Sequence, residues 1–168
     1  MVNIVLFRPS MPQNVGNILR TAMATNSIVH IIGPIKFEID DKSVQRVGMD
    51  YLKEAKYVLY KNYEEFEQMH RNEIIYYVTR YSSKLYTAFD FSNKFGNMYF
   101  MFGNESTGID KRLLKSNLNL CMRIPMMANA RSLNLSNSVA IILYEVLRQQ
   151  KFSELATIEI IKGEHTLD

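Results

Sequence analysis

Hydrophobic residues along this chain fall into short continuous runs separated by polar, turn-forming segments. Runs of this kind are typical of strands that are buried on both faces of a parallel sheet. The run at 28–32, for example, stops at Gly33 and Pro34, two residues that commonly end a strand. The pattern predicts strands at 3–7, 28–32, 74–79, 97–102 and 120–124.

Between several of these runs the apolar positions recur every three to four residues, as they do on one face of a helix. Asn14 is the predicted N-cap of the first helix. Further helices are predicted at 63–70, 110–115 and 135–150, and a polar helical turn at 40–49. Alternating strands and helices predict an α/β fold in which a mostly parallel sheet is flanked by helices.

The helix predicted at 135–150 is apolar on more than one side. Ala140, Ile141 and Tyr144 lie away from its main apolar stripe, so the helix either occupies the centre of the core or also contacts a partner subunit. The periodicity favours neither alternative. Residues 80–97 are predicted to form a long surface loop, and the tail from Lys151 to be loosely held.

Composition narrows the class of protein. A chain of 168 residues fits a single domain spanning 1–168. No apolar run approaches the roughly 18–20 residues of a membrane span, no secretory signal is recognisable, and Cys121, as the only cysteine, has no intrachain partner. We therefore expect a cytoplasmic protein. The net charge of +3 permits a polyanionic partner without requiring one.

Two segments that follow predicted strands have compositions that packing does not require. Segment 12–20 places Asn14, Asn17 and Arg20 on one polar face, where amide and guanidinium groups can bind phosphate or ribose oxygens. Segment 102–108 is a glycine-rich turn at the end of a strand, where open α/β sheets bind ligands. Each segment alone is also compatible with an ordinary helix cap or turn.

A third segment, 124–138, joins the last strand to the last helix and is rich in Asn, Ser and small residues. Ser136 or Asn137 can cap the helix, and the free N–H groups of the cap can bind an anion. An ordinary long loop explains the same composition equally well.

Several other chemistries are disfavoured. The glycine-rich turn lacks the lysine and hydroxyl residue of a phosphate-binding loop, and no dinucleotide fingerprint is present. His30, His70 and His165 lack metal-ligand spacing, so no metal site is predicted, and His30 is expected to be a hydrogen-bonded core residue. The clustered tyrosines, among them Tyr57 and Tyr60, are expected to pack in the core rather than to stack on bases.

Taken in order, the three segments resemble the three motifs of the SPOUT methyltransferases, in particular the TrmH-like branch that methylates ribose 2′-hydroxyls. The motifs correspond to 14–20, 102–108 and 124–140, and the resemblance extends from about Val2 to Gln150. The short chain and the sequence at 128–132 are most similar to the small members that methylate the wobble nucleotide of tRNA.

The resemblance implies a C-terminal deep trefoil knot at about 74–150, a homodimer with its active site at the subunit interface, and S-adenosyl-L-methionine as cofactor. The expected catalytic residues are Asn14, Arg20, Glu105, Ser132 and Asn134. The expected cofactor-binding residues are Val78, Thr79, Phe102, Gly103, Glu105, Ile124, Pro125, Met126, Ser132 and Leu133.

The implied reaction is attack of a ribose 2′-hydroxyl on the sulfonium methyl group, for which no metal is required. Because a guanidinium group keeps its proton in proteins, we expect Arg20 to stabilise the developing alkoxide rather than act as a base. The RNA surface is expected to include Arg20, Lys42, Arg46 and Arg131. The expected substrate is the anticodon stem-loop of tRNA; rRNA methylation and a non-catalytic RNA-binding protein are the alternatives.

Overall fold

The computed structural model of the protein describes residues 1–39, 54–93 and 96–161, and these include a six-stranded sheet in which all pairings are parallel. This confirms the predicted α/β class. The sheet order is β3-β2-β1-β5-β4-β6. The strands are β1 (Val2–Phe7), β2 (Ile28–Ile32), β3 (Tyr57–Tyr60), β4 (Ile75–Val78), β5 (Met98–Phe102) and β6 (Cys121–Met122).

Helices cover both faces of this sheet, as a parallel sheet requires. Along β1 successive residues alternate between two cores, so that Ile4 and Leu6 face one layer of helices while Val5 and Phe7 face the other. The helices are α1 (Pro12–Ala24), α2 (Tyr63–Met69), α3 (Lys111–Ser116) and α4 (Leu135–Gln149). Helices α1 and α4 contact each other and contribute to the first core, whereas α2 and α3 contribute to the second.

Strand β3 was not predicted, although Tyr57–Tyr60 is a short apolar run like those of the predicted strands. It lies at the edge of the sheet, where Tyr57, Val58 and Leu59 are 39–53% exposed. Tyr60 is buried, as expected of the tyrosine cluster, but Tyr57 is not. The helical turn predicted at 40–49 lies outside the described residues.

The prediction that residues 80–97 form a surface loop is wrong for part of the segment. Phe91 is 1% exposed and belongs to the core, and the loop contains a 3-10 turn at Tyr86–Ala88. Likewise the start of the tail is held in place, because Phe152 and Leu155 pack against the core beside α4. Tyr144 on α4 remains 47% exposed, so this helix is not buried on all sides within one chain.

None of the helices in the described part of the chain combines the length and apolar character that crossing a membrane would demand.

A buried chain of polar side chains crosses the core beside α2. Asn3 donates its amide hydrogens to backbone carbonyls, so its Oδ1 accepts from His30 Nε2 at 3.0 Å. The Tyr60 hydroxyl then donates to His30 Nδ1 at 2.8 Å and accepts from His70 Nε2 at 2.9 Å. This arrangement satisfies every member and confirms that His30 is a hydrogen-bonded core residue. It also brings together two histidines that the sequence keeps 40 residues apart.

This row of hydrogen-bonded side chains makes the free energy of unfolding depend on pH. Burial, and secondly the proximity of His70, lowers the pKa of His30 from 6.5 to about 4. The unfolded state therefore takes up a proton first as the pH falls, and the stabilisation present above about pH 6.5 is lost between pH 6.5 and 4. We expect the free energy of unfolding to fall by roughly 3 kcal/mol over this range, measured by urea denaturation. His30→Asn is the matched control, and an equally steep fall in that variant would contradict the assignment.

Candidate active site

A cavity of about 550 Å³ opens at the carboxyl ends of β4, β5 and β6. Three segments form its walls: the end of β4 with the residues after it, the glycine-rich turn after β5, and the loop between β6 and α4. These are the places where a parallel α/β sheet binds ligands. Of the predicted cofactor-binding residues, the cavity is lined by Val78, Thr79, Phe102, Gly103, Glu105, Ile124, Met126, Ser132 and Leu133; Pro125 does not line it.

The glycine-rich turn is closed by hydrogen bonds at both ends. The backbone N–H of Gly108 donates to the carbonyl oxygen of Asn104 at 2.9 Å, and that of Asn104 donates to Gly108 at 3.2 Å. The Asn104 side chain accepts from the backbone of Ser106 and Thr107 and donates to the carbonyl oxygen of Arg8 at 2.6 Å. Asn104 therefore fixes the turn and ties it to the chain leaving β1.

Gly103 is required by close backbone approach within this turn. A Cβ atom on Gly103 would overlap the carbonyl carbon of Gly108 and the amide nitrogen of Ile109, and would lie 2.6 Å from the Gly108 Cα. All three are backbone atoms, which cannot move aside as a side chain can. The position is therefore restricted to glycine.

Glu105 connects this turn to the first motif. Its Oε2 accepts from the backbone N–H and the hydroxyl of Ser10 at 2.8 and 2.7 Å, and its Oε1 accepts from Met11 N–H at 3.1 Å and Asn14 Nδ2 at 2.9 Å. Burial alone would raise the pKa of the Glu105 carboxyl, but these hydrogen bonds outweigh it and hold the pKa below its usual value. Sequence reasoning missed Ser10, whose only signal was a small polar residue just before the motif.

Asn14 and Asn134 extend the same network to the third motif. The Nδ2 of Asn134 donates to Asn14 Oδ1 at 3.0 Å, so Asn14 connects Asn134 to Glu105. The prediction that Asn14 caps the first helix is wrong: the helix starts at Pro12, the N-cap is Met11, and Asn14 is 3% exposed. Because it is buried, Asn14 does not share a solvated face with Arg20.

The predicted cap of the last helix is also wrong by two or three residues. Asn134, rather than Ser136 or Asn137, is the N-cap, and its Oδ1 accepts from the backbone N–H groups of both of those residues. It accepts from the Ser136 hydroxyl as well, at 2.6 Å. The side chain of Asn134 therefore anchors the start of α4 and joins it to α1 at the same time.

Arg20 lies elsewhere on α1 than the network. It is exposed, six residues beyond Asn14, and is not among the residues that line the cavity of the same chain. Arg131 does line the cavity, and its carbonyl oxygen accepts from the Arg80 guanidinium. The other two residues of the predicted RNA surface, Lys42 and Arg46, lie outside the described residues.

Within the described ranges, no group of three or more His, Cys, Asp or Glu side chains is arranged to hold a metal ion.

Replacing Glu105 with glutamine should loosen the network without removing side-chain volume. One carboxylate oxygen becomes an NH2 group that faces N–H donors, so at least one of the four donors loses its acceptor. We expect a loss of about 1–3 kcal/mol in unfolding free energy, and a lower kcat for the reaction proposed below with an unchanged pH profile. Ser10→Ala, which removes one of the four hydrogen bonds, should have a smaller effect. Loss of the acidic limb of the pH profile in Glu105→Gln would instead identify Glu105 as a proton acceptor.

The sheet and the cavity at its carboxyl edge define an α/β protein with a ligand site built from three loops. The chain belongs to the SpoU rRNA Methylase family, whose model matches residues 1–144. This confirms the resemblance to the TrmH-like methyltransferases.

Similar proteins cover nearly the whole chain. A Saccharophagus degradans protein named tRNA (cytidine(34)-2'-O)-methyltransferase is 34% identical over 154 residues, covering 91% of this chain and 98% of that protein. A Geobacillus stearothermophilus protein, provisionally assigned the same activity, is 44% identical over 155 residues, 92% of this chain and 99% of that protein.

Solved structures give the same result. A crystal structure of a candidate RNA methyltransferase from Bacillus anthracis has a TM-score of 0.88 and 42% identity, covering 95% of this chain and all of that one. A structure concerned with 2-OH methylation of C/U34 on tRNA has a TM-score of 0.83 and 29% identity, covering 90% of this chain and 97% of that one. The AviRb methyltransferase of Streptomyces viridochromogenes in complex with AdoMet has a TM-score of 0.77 and 25% identity, covering 89% of this chain and 57% of that one.

Proposed function

We propose that this chain is a tRNA ribose methyltransferase that transfers a methyl group from S-adenosyl-L-methionine to the 2′-hydroxyl of the wobble cytidine or uridine, in the cytoplasm. The observation that carries the proposal is the network in which Glu105 and Asn14 connect the glycine-rich turn, the first motif and, through Asn134, the third motif. The network holds the three loops together at one cavity, which is what a reaction between a bound cofactor and a second substrate requires. Family membership and the named relatives support the substrate.

The cavity fits the cofactor in two respects. Its volume of about 550 Å³ is in the usual range for small-molecule sites, and it lies at the carboxyl ends of parallel strands, where open α/β sheets bind ligands. When bound, S-adenosyl-L-methionine supplies an electrophilic methyl group on a sulfonium. The predicted residues that line the cavity and would hold it are Val78, Thr79, Phe102, Gly103, Ile124, Met126 and Leu133.

The predicted catalytic residues divide into two groups by their contacts. The two Glu105 carboxylate oxygens accept four hydrogen bonds and the Asn134 Oδ1 accepts three, so none of these oxygens is available to accept the ribose proton. We assign these two residues and Asn14 to positioning: they hold the turn, α1 and α4 in one arrangement.

Arg20 and Ser132 form the second group. Ser132 lines the cavity and is exposed there, so its hydroxyl can orient the ribose. The Arg20 guanidinium, with several fixed N–H donors, stabilises the negative charge that develops on the 2′-oxygen as it attacks. Alignment of the attacking oxygen and the methyl carbon within about 3–3.5 Å supplies the remainder of the rate increase.

We propose further that two copies of the chain form each active site. Arg20 does not line the cavity of its own chain, and the exposed Tyr144 leaves one side of α4 available for a second subunit. A partner's Arg20 at this cavity would complete the catalytic set. Light scattering tests the dimer, and a strict monomer with full activity would refute the composite site.

The single domain would contain a trefoil knot from about residue 74 to 150. The loop after β4 supports this. Its Tyr86 N–H donates to the carbonyl oxygen of Arg123, while Phe89 and Phe91 are hydrogen-bonded to the side chain of Gln149. One loop therefore contacts both ends of the segment that runs from β6 through α4, as expected if that segment passes beneath it.

A methyl-transfer assay tests the proposed function. Purified protein is incubated with labelled S-adenosyl-L-methionine and either bulk tRNA or rRNA, and the labelled nucleotide is then mapped. We expect label in tRNA, on the ribose of nucleotide 34. Label in rRNA alone would favour the rRNA alternative, and label in neither RNA with cofactor binding intact would leave a non-catalytic RNA-binding protein.

A further inference from the structure

Tyr81 differs from most tyrosines of this protein in being both exposed and next to the cavity. Its side chain is 68% exposed, whereas Tyr60, Tyr63, Tyr77 and Tyr99 are buried in the aromatic core. It lines the same cavity as the glycine-rich turn. Core packing, the ordinary explanation for a tyrosine in this chain, therefore does not apply to Tyr81.

The loop that carries Tyr81 is firmly held. The N–H of Thr79 donates to Met122 at 2.9 Å, and the hydroxyl of Ser82 donates to Cys121 at 2.9 Å. The carbonyl oxygen of Arg80 accepts from the Arg123 guanidinium at 2.7 Å. A ring on a fixed loop loses little conformational freedom when a ligand binds to it, which favours binding.

Positive charge lies close to this ring. The ammonium group of Lys111 is 5.6 Å from the centre of the Tyr81 ring, within the range of a cation–π contact. Arg112 and Lys115 are exposed on the same short helix, α3. Asp110, the nearest carboxylate in sequence, is occupied in capping that helix, and no ion pair involves Lys111 among the residues that the structure describes. The ring therefore borders a surface suited to a polyanion.

We propose that Tyr81 and Lys111 form a nucleotide-binding site at the mouth of the cavity, where one RNA base stacks on the tyrosine ring and Lys111 binds an adjoining phosphate. This inference rests on the proposed function and names a contact to the substrate. An exposed aromatic ring beside cations is the arrangement that single-stranded RNA recognises, because every base has a face that can stack. The base is either that of the methylated nucleotide or its neighbour.

Tryptophan fluorescence gives a direct test, since the chain contains no tryptophan. Tyr81→Trp introduces one reporter at the proposed site. The matched control, Tyr57→Trp, introduces it at an exposed tyrosine on β3, at the opposite edge of the sheet. We expect an anticodon stem-loop RNA to quench the fluorescence of Tyr81→Trp and not that of Tyr57→Trp, and S-adenosyl-L-methionine alone to quench neither. Quenching of Tyr81→Trp by cofactor alone would overturn the proposal and make Tyr81 a wall of the cofactor site.

Affinities measured on substituted proteins provide the second test. We expect Tyr81→Ala to weaken stem-loop binding by about 10- to 100-fold, with cofactor affinity within about three-fold, and Tyr81→Phe to behave like the unsubstituted protein. Lys111→Gln should lower the dependence of log K on log salt by roughly 0.7. If the unsubstituted protein methylates RNA and Tyr81→Ala binds it equally well, this inference alone is wrong. If the unsubstituted protein binds no RNA, the proposed function fails as well.

Discussion

Replacing Arg20 with alanine is expected to lower kcat for ribose methylation by at least about 100- to 1000-fold, while cofactor affinity stays within a few-fold of the unsubstituted protein. The reason is that Arg20 lies outside the cavity of its own chain but is assigned to the charge that develops on the attacking oxygen. Single-turnover rates and equilibrium cofactor binding measure the two effects separately.

Arg20→Lys is the matched control for this experiment. Lysine keeps the positive charge but cannot present the planar fork of donors, so partial activity is expected. Activity in Arg20→Lys that exceeds that of the unsubstituted protein at high pH would indicate a base rather than an electrostatic role. Loss of cofactor binding in Arg20→Ala with residual turnover would also contradict the assignment.

The second large effect is expected from Gly103→Ala, which should weaken cofactor binding by up to about 100-fold. The added Cβ would meet backbone atoms of Gly108 and Ile109, so the turn must open and the cavity wall must move. Overpacking of this kind costs about 1–3 kcal/mol in stability, and the protein should still fold. Calorimetric titration with the cofactor measures the loss of affinity, and thermal denaturation measures the loss of stability.

Gly108→Ala separates the collision from the effect of any alanine in the turn. Gly108 has a positive φ of +72° but a Cβ there would meet nothing within 4 Å. The expected cost is therefore the strain of a left-handed residue, roughly 1–2 kcal/mol, with a much smaller effect on cofactor affinity than in Gly103→Ala. Equal losses in the two variants would show that backbone strain, and not the close approach at Gly103, governs the turn.

The two variants together test the composite site. Consider a dimer of one Arg20→Ala subunit and one Gly103→Ala subunit. If each site takes its Arg20 from the partner subunit, one of the two sites carries both defects and the other carries neither. Co-expressed subunits with two affinity tags should therefore recover about half the activity of the unsubstituted dimer. If each subunit supplies its own Arg20, every site carries one defect and mixing restores nothing.

Features that depend on neighbouring residues could be predicted from the sequence. The buried run of β1 and the spacing of Val15, Ile18 and Leu19 on α1 lie where the pattern indicates, because burial imposes a local period on strands and helices. The three motifs were recognised for a similar reason, since each is a continuous segment.

Contacts between distant segments could not be predicted in the same way. The amide of Asn14 suits a helix cap as well as a side-chain network, and only the position of Glu105, 91 residues away, decides between them. Phe91 shows the same limit: its neighbours are polar, so local pattern indicates a surface loop, yet the fold buries it.

The sequence by itself determined the α/β class, most strands and helices, the family and the residues from which a site could be built. Only the tertiary structure decided the order of the strands, the burial of Asn14, the exposure of Tyr81 and the separation of Arg20 from the cavity of its own chain. The physical reason is that periodicity reports whether a residue faces the interior, whereas the partner it meets there is fixed by chain segments many residues away.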